Sequence, residues 1–437
     1  MLEAAAPVSP GAARLVAEQR PDAVVATSLA ELGSPQTDYV RAAKAKGVPT
    51  ILCVASWDNL TNQGGIRELP DLVTVWNEAQ RREAVELHGV PSERVVATGA
   101  QVYDHWFEWR PSLERRAFAE RVGLPPEGPF LLWLGSSPFI APREAEFVLG
   151  WLRGLRARPE PELAGAGVLV RPHPQNAAQW EGVDLSGLGP VAVWPRGGAD
   201  PVDARSKRDF FDSMYHCVAV VGVNTSALIE SAIVGRPVFT LLASEFRAGQ
   251  VGTLHFEHLA SGGLLNVAET FDEHARQLSA ALRAGPGGPE LNRAFLESFV
   301  RPRGLGVPAT PLLVDALEST VSAPRPAPRA SPPAAAVLRL VMTPAAAVAA
   351  LDARARRSLR AAVRGAVRSR WLGGAARRRL SWDDGSAGPA VADGHGILAR
   401  AVVAPVLAEA RAALAERPAS ESNGTGPVSA ARTRSVA

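Results

Sequence analysis

Three short segments carry residue types whose spacing suits anion and sugar chemistry. The first is VAVVGVNTSALIESAIVGRPVFTLL, from Val218 to Leu242. Here an apolar β-branched run ends at Gly222, and a turn of small polar residues, Asn224-Thr225-Ser226, opens a helix. Such a turn presents free backbone N–H groups and the positive helix end, a ready site for a diphosphate. Glu230 follows Ser226 by one helical turn on the same face, where a carboxylate can accept two hydrogen bonds from a ribose diol. The second segment is Arg171-Pro172-His173-Pro174, at the end of the run LVRPHP. Its prolines stiffen a turn holding a guanidinium that can grip phosphate and an imidazole that can donate to a leaving oxygen. The third, Gly135-Ser136-Ser137 after FLLWL, is small enough to admit a phosphate at Ser136, although a plain turn explains it equally.

A fourth segment, Ser56-Trp57-Asp58-Asn59 after TILCVA, offers the other half of a transfer reaction. Trp57 can stack on a sugar, Asn59 can hydrogen-bond it, and Asp58 can take the proton of an attacking hydroxyl. An ordinary Asn/Asp turn accounts for Asp58 just as well. The catalytic candidates are therefore Asp58 and His173. The donor-binding candidates are Ser136, Arg171, His173, Asn224, Thr225, Ser226 and Glu230, and the acceptor-binding ones are Trp57 and Asn59. No metal set emerges. His255, Glu257 and His258 lack a third ligand and read as a helix facing solvent, and no DxD-like pattern lies near the donor segments. Metal-independent transfer is the expectation, with basic residues and helix ends stabilising charge. Cys53 and Cys217 sit in separate apolar runs and read as small buried hydrophobes.

The run from Asn224 to Glu230, followed by Gly235-Arg236-Pro237, resembles the donor-binding loop and helix of the lipid-A-disaccharide synthase and peptidoglycan GlcNAc-transferase families. Both belong to the GT-B glycosyltransferase superfamily. The resemblance implies that the turn amides hold a nucleotide diphosphate and that Glu230 binds ribose. Thr225 stands where many relatives have glycine. Arg171-Pro172-His173-Pro174 resembles the strand-end Lys/Arg-x-His-Pro of CDP-glycerol glycerophosphotransferases. The stretch from Thr50 to Asp104 is similar to the later part of the lipid-A-disaccharide synthase acceptor domain. Together these resemblances imply a GT-B-type glycosyltransferase of cell-envelope or polysaccharide biosynthesis. Its substrate would be a nucleotide-diphosphate sugar with no cofactor, and its acceptor a glycan, lipid or small molecule. The alternatives are a glycerophosphotransferase using a CDP-activated donor and a non-catalytic or truncated nucleotide-binding protein. A nucleotide-sugar 2-epimerase shares the fold but needs paired acid/base groups that these residues do not assemble.

The elements that must position these groups are legible as alternating strand and helix signals. Strands are predicted at 22–27, 50–55, 72–76 and 94–98, then at 130–134, 168–171, 191–194, 218–221 and 237–241. Helical patterns fall between them, closed by glycines such as Gly47, Gly89 and Gly123. This is an α/β chain of two Rossmann-like, doubly wound halves. The acceptor half spans 1–110 and the nucleotide half 111–320. Four strands are fewer than the six or so such a half usually has, so its first βα units are expected upstream of Met1.

Beyond 320 the character changes. A Pro/Ala linker is expected at 321–337, an Arg-rich helical tail at 338–417 and disorder at 418–437. Net charge is +3 overall, but residues 323–437 hold eighteen Arg against seven acidic residues, a balance of +11, which leaves −8 for the first 322. The high pI thus belongs to the tail and implies no nucleic-acid groove. A basic helix can rest on an anionic membrane, so peripheral contact through the tail is one expectation and a solvated tail the other. Met1 to Pro10 lacks the basic and apolar regions of a leader, so a cytoplasmic setting is expected, with the inner membrane face as a peripheral station.

Overall fold

The apolar runs become two fully parallel sheets in a computed structural model that describes residues 8–288 and 290–329. The first half comprises α1 (Pro10–Gln19), β1 (Val24–Ala26), α2 (Gln36–Lys44), β2 (Thr50–Cys53), β3 (Leu72–Val75), α3 (Glu78–Glu86) and β4 (Val95–Ala97). Its strands lie in the order β1-β2-β3-β4. A 3-10 turn at Gln101–Phe107 and α4 (Arg115–Val122) lead into the second half.

That half runs through β5 (Phe130–Leu134), α5 (Glu144–Arg156), α6 (Pro161–Gly165), β6 (Gly167–Arg171), β7 (Val191–Val193) and α7 (Ala204–His216). It continues with β8 (Ala219–Gly222), α8 (Ala227–Ile233), β9 (Val238–Leu241), α9 (Leu254–Ala260), β10 (Leu265–Ala268) and α10 (Phe271–Ala284). The order β10-β9-β8-β5-β6-β7 places β8, β5 and β6 side by side at the centre. Their carboxyl ends carry the Asn224, Gly135 and Arg171 segments.

Both faces of this second sheet are covered, which is why its strands read as unbroken apolar runs. Leu132 and Leu134 face one core with Phe118, Met214 and Leu228. Leu131 and Trp133 face the other with Val148, Trp151 and Leu278. The strand and helix pattern of the sequence is present, with α1, α6 and β10 in addition. Residues 291–300, which read as a helix in the sequence, form only a short turn, Arg293–Phe295, continued as the π-helical Leu296–Val300. Helix α7 begins at Ala204 because Asp203 caps it, accepting from Arg205 N and Ser206 N.

The last helix, α11 (Ala309–Ser322), packs on the first sheet, with Leu313 against Ile51 and Cys53, rather than on the half that precedes it. Asp104 fixes its start. That carboxylate accepts from Ala309 N (3.0 Å) and Thr310 N (2.6 Å) and pairs with Arg301 (2.7 Å), the favoured place for a negative charge at a helix N-terminus. The halves share one continuous core in which Trp57, Trp76 and Tyr103 meet Phe256 and Phe295. Fully burying one such side chain contributes about 1.5–3 kcal/mol.

Of the Pro/Ala linker expected at 321–337, residues 321–329 are described: 321–322 end α11, and 323–329 lie along the first half. Arg329 N donates to Lys44 O (2.9 Å), Arg329 pairs with Glu68 (3.2 Å) and Arg325 with Asp22 (3.1 Å). The Arg-rich tail and the segment after it fall outside the described residues. Among the described residues no helix is long and apolar enough to cross a membrane.

Candidate functional site

The site is built where β8, β5 and β6 end. Gly135 hydrogen-bonds Arg171 O through its N–H (2.9 Å), and a Cβ at this position would come within 2.6 Å of His173 N. Only glycine lets the two strand-end turns approach so closely. One residue on, Ser136 Oγ accepts from Asn224 N (3.3 Å), which ties the β5 loop to the β8 turn. Three of the segments picked out in the sequence therefore converge on one sheet edge.

Within the β8 turn the residues divide. Asn224 is 4% exposed, and its Nδ2 donates to Gly249 O at 2.6 Å. It shapes the turn rather than facing a ligand. Thr225 is half-buried and Ser226 exposed. Among the described residues their N–H groups meet no acceptor, whereas the following amides of Leu228 and Ile229 close back on Thr225 O and Ser226 O. Two unaccepted donors at a helix start are left open to an acceptor. Ser136, expected to touch phosphate, is fully buried, and its amide is taken by Glu144 (3.0 Å to each oxygen), so it acts as a brace.

Glu144 is a group that sequence reasoning missed. It is 1% exposed and also receives Trp133 Nε1 at 3.3 Å. Burial pushes its carboxyl up to about 8, partly offset by these hydrogen bonds.

Arg171 is a correction. It was expected to grip phosphate, but it is 5% exposed and turned into the sheet–helix layer. There Nη1 donates to Ser213 Oγ (2.8 Å) and Asp209 O (3.2 Å), and its guanidinium lies 5.2 Å from the Phe210 ring. Burial lowers its pKa to about 10. The cause is strand parity: Arg171 shares the face of Leu169, which packs into the same core as Phe211. His173, two residues on, stays half-buried. Its Nδ1 accepts from Gln175 N (3.2 Å), which leaves the proton of the neutral ring on Nε2. Burial lowers its pKa, so the neutral donor form dominates.

Glu230 projects from α8 toward the first half. It is half-buried, and desolvation pushes its carboxyl up to about 8. Tyr103, 3% exposed and also missed by sequence reasoning, faces the same carboxyl from the other half. Its phenol is raised by burial, then by Glu230 and Asp58. Glu230 and Asp58, one from each half, thus both act on this phenol.

On the first half, Asp58 lies in a tight local ring. It accepts from Ser56 Oγ (2.5 Å) and Asn62 Nδ2 (2.5 Å), while Asn59 Oδ1 accepts from Ser56 N (3.0 Å). The Asn59 carbonyl oxygen is therefore used on the turn. Gln80 Nε2 anchors the loop through Ser56 O (3.0 Å). Trp57 is the second correction. It is 4% exposed and packed edge-on against His255 at 5.0 Å, so the face expected to stack on a sugar is covered. The third concerns α9, expected to face solvent. His255 is 5% exposed and His258 binds Glu83 of the first half, so this helix faces the junction. Among the described residues no three His, Cys, Asp or Glu side chains gather as a metal site. Cys53 and Cys217 are free and buried.

No protein-family model and no curated protein matches the chain. Solved structures similar to it include the UDP-GlcNAc 2-epimerase of Methanocaldococcus jannaschii in complex with UDP-GlcNAc and UDP, at 12% identity and a TM-score of 0.45 over 70% of this chain and 78% of that one. The putative UDP-N-acetylglucosamine 2-epimerase of Listeria monocytogenes is 14% identical with a TM-score of 0.48, over 73% and 79% of the two chains. WaaG, a glycosyltransferase involved in lipopolysaccharide biosynthesis, is 14% identical with a TM-score of 0.40, over 71% and 80%. The likeness is one of general chain course.

Proposed function

We propose that the junction between the halves binds a nucleotide-diphosphate sugar and that the chain is a GT-B-type glycosyltransferase working without a metal ion. The single observation carrying this reading is the convergence of the β5, β6 and β8 ends around the unaccepted N–H groups of Thr225 and Ser226. In this reading those amides hold the diphosphate, and the His173 Nε2–H donates to a phosphate or the departing oxygen. Glu230 accepts from the ribose hydroxyls, and Asp58 takes the proton of the acceptor hydroxyl. The acceptor would be a glycan or a lipid-linked glycan.

The test is calorimetric titration with UDP, GDP and CDP, followed by hydrolysis assays on UDP-, GDP- and CDP-activated donors. One nucleoside diphosphate should bind at the micromolar level, and its sugar conjugate should be slowly hydrolysed. Binding without hydrolysis or transfer would leave a nucleotide-binding protein, and conversion of a UDP-sugar to its 2-epimer would replace transfer by epimerisation. No binding of any of the three would end the reading.

A further inference from the structure

Asn224, at the polar turn, and Asp58, in the loop after β2, belong to different halves, and His255 stands between them. Its Nε2 lies 3.4 Å from Asn224 Nδ2 and its Nδ1 lies 3.4 Å from Thr61 Oγ1. Thr61 continues the chain of contacts: its N–H (3.0 Å) and its hydroxyl (3.2 Å) both donate to Asp58 O. Asn224 Nδ2 is a donor only, already used on Gly249 O, so His255 Nε2 must accept and Nδ1 must carry the proton toward Thr61. One tautomer satisfies both halves at once. A protonated ring would set an N–H against an NH₂, and burial, the largest influence on this imidazole, holds it neutral. Asn224 Oδ1 is left buried with no partner, so the side chain is held from its nitrogen end alone, by Gly249 and His255. The edge-on contact with Trp57 fixes the ring plane.

We propose that His255 is a positioning residue that sets the Asp58 loop in register with the Asn224 turn, so that a nucleoside diphosphate on the turn orders residues 56–62 of the opposite half. This coupling rests on the nucleotide reading of the turn. The contact itself does not.

The experiment is hydrogen exchange read by mass spectrometry on the full chain, with and without UDP, GDP or CDP as probe. In the unliganded protein, His255→Ala is expected to speed exchange several-fold in both 56–62 and 223–226, whereas His255→Gln, which can accept on one side and donate on the other, restores most of the protection. With nucleotide, residues 56–62 should become several-fold more protected in the wild type. Thr61→Val should lose that gain, and nucleotide affinity should fall by a comparable several-fold factor, because the coupling is reciprocal. Wild-type gains in both Thr61→Val and His255→Ala would overturn the coupling. If no nucleotide alters exchange at 223–230, the nucleotide reading fails by itself, and the unliganded arm decides the positioning role: unchanged exchange at 56–62 in His255→Ala would sink it.

Discussion

Replacing Glu144 by Gln tests the electrostatics of the site without touching a residue meant to meet the ligand. The carboxyl is 1% exposed and pushed from an ordinary 4.5 up to about 8. Between those values the folded protein keeps a proton that the unfolded chain has released, so stability falls as pH rises and levels off above about 8. A shift of about 3.5 units at about 1.36 kcal/mol each amounts to about 5 kcal/mol over the whole range. His274 works in the opposite sense. Its pKa is lowered by burial from 6.5 to about 4, so its contribution rises with pH up to 6.5 and is then complete. The clean window is therefore pH 6.5–8, where the Glu144 part is about 2 kcal/mol. Glu230 titrates in the same window but is common to both proteins and cancels in their difference. Urea unfolding at four pH values across the window should show Glu144→Gln losing about 2 kcal/mol less than the wild type. The slope is the observable, because the offset also contains the amide's new hydrogen bonds. Parallel pH profiles would show that Glu144 is ionised at neutral pH and would refute the assignment of a neutral carboxyl under the β5 loop.

Arg171→Ala should lower stability by about 3 kcal/mol, through lost packing and the lost hydrogen bonds to Ser213 Oγ and Asp209 O, and should weaken nucleoside and diphosphate binding equally. A loss confined to diphosphates, measured by calorimetry, would restore the guanidinium to the site. Glu230→Gln should weaken nucleotide binding several-fold with little change in melting temperature. Because diol hydrogen bonds favour the ionised carboxyl, wild-type affinity should rise as pH climbs toward 8 while that of the variant stays flat; two flat profiles would remove Glu230 from the ribose. His173→Asn keeps an acceptor for Gln175 N but loses the Nε2–H, so turnover should fall by about 10²-fold at an unchanged melting temperature; undiminished donor hydrolysis would make the imidazole structural. Nucleotide affinity should change less than about threefold between 50 and 500 mM NaCl, and a steep fall would reveal cations at the site that this geometry does not supply.

Much of the fold was legible because parallel strands buried on both faces leave short, unbroken apolar runs, and because caps such as Gly47 and Gly123 punctuate them. The same property hid the role of Arg171. When every residue of GVLVR is buried, hydropathy carries no parity, and nothing in the sequence tells which face Arg171 shares with Leu169. Trp57 and His255 escaped for another reason. They meet across 198 positions of chain, and a loop tryptophan with a helix histidine leaves no periodic trace. Glu144 braces Ser136 from eight residues away through a bend that no helical or strand period describes. The turn at Asn224–Ser226 was readable because strand end, polar turn and helix start are contiguous, so local chemistry dictates them.

The corrections together change how the site must work. With Arg171 aimed into α7 and His173 held neutral, neither of the two basic groups expected at the β8 turn brings it a positive charge, and burial favours the protonated carboxyls of Glu144 and Glu230. A dianionic diphosphate would then be met by dipoles: two free amides, an imidazole N–H and the start of α8. Such groups stabilise charge well only where water is excluded, because their fields weaken quickly in high dielectric. The surface opposite is the other half of the chain, whose Trp57 and Thr61 meet His255 beside Asn224. If the turn binds a diphosphate as proposed, recognition of the anion and closure of the junction are one requirement, and a residue that aligns the halves governs the strength of the site as surely as one that touches phosphate.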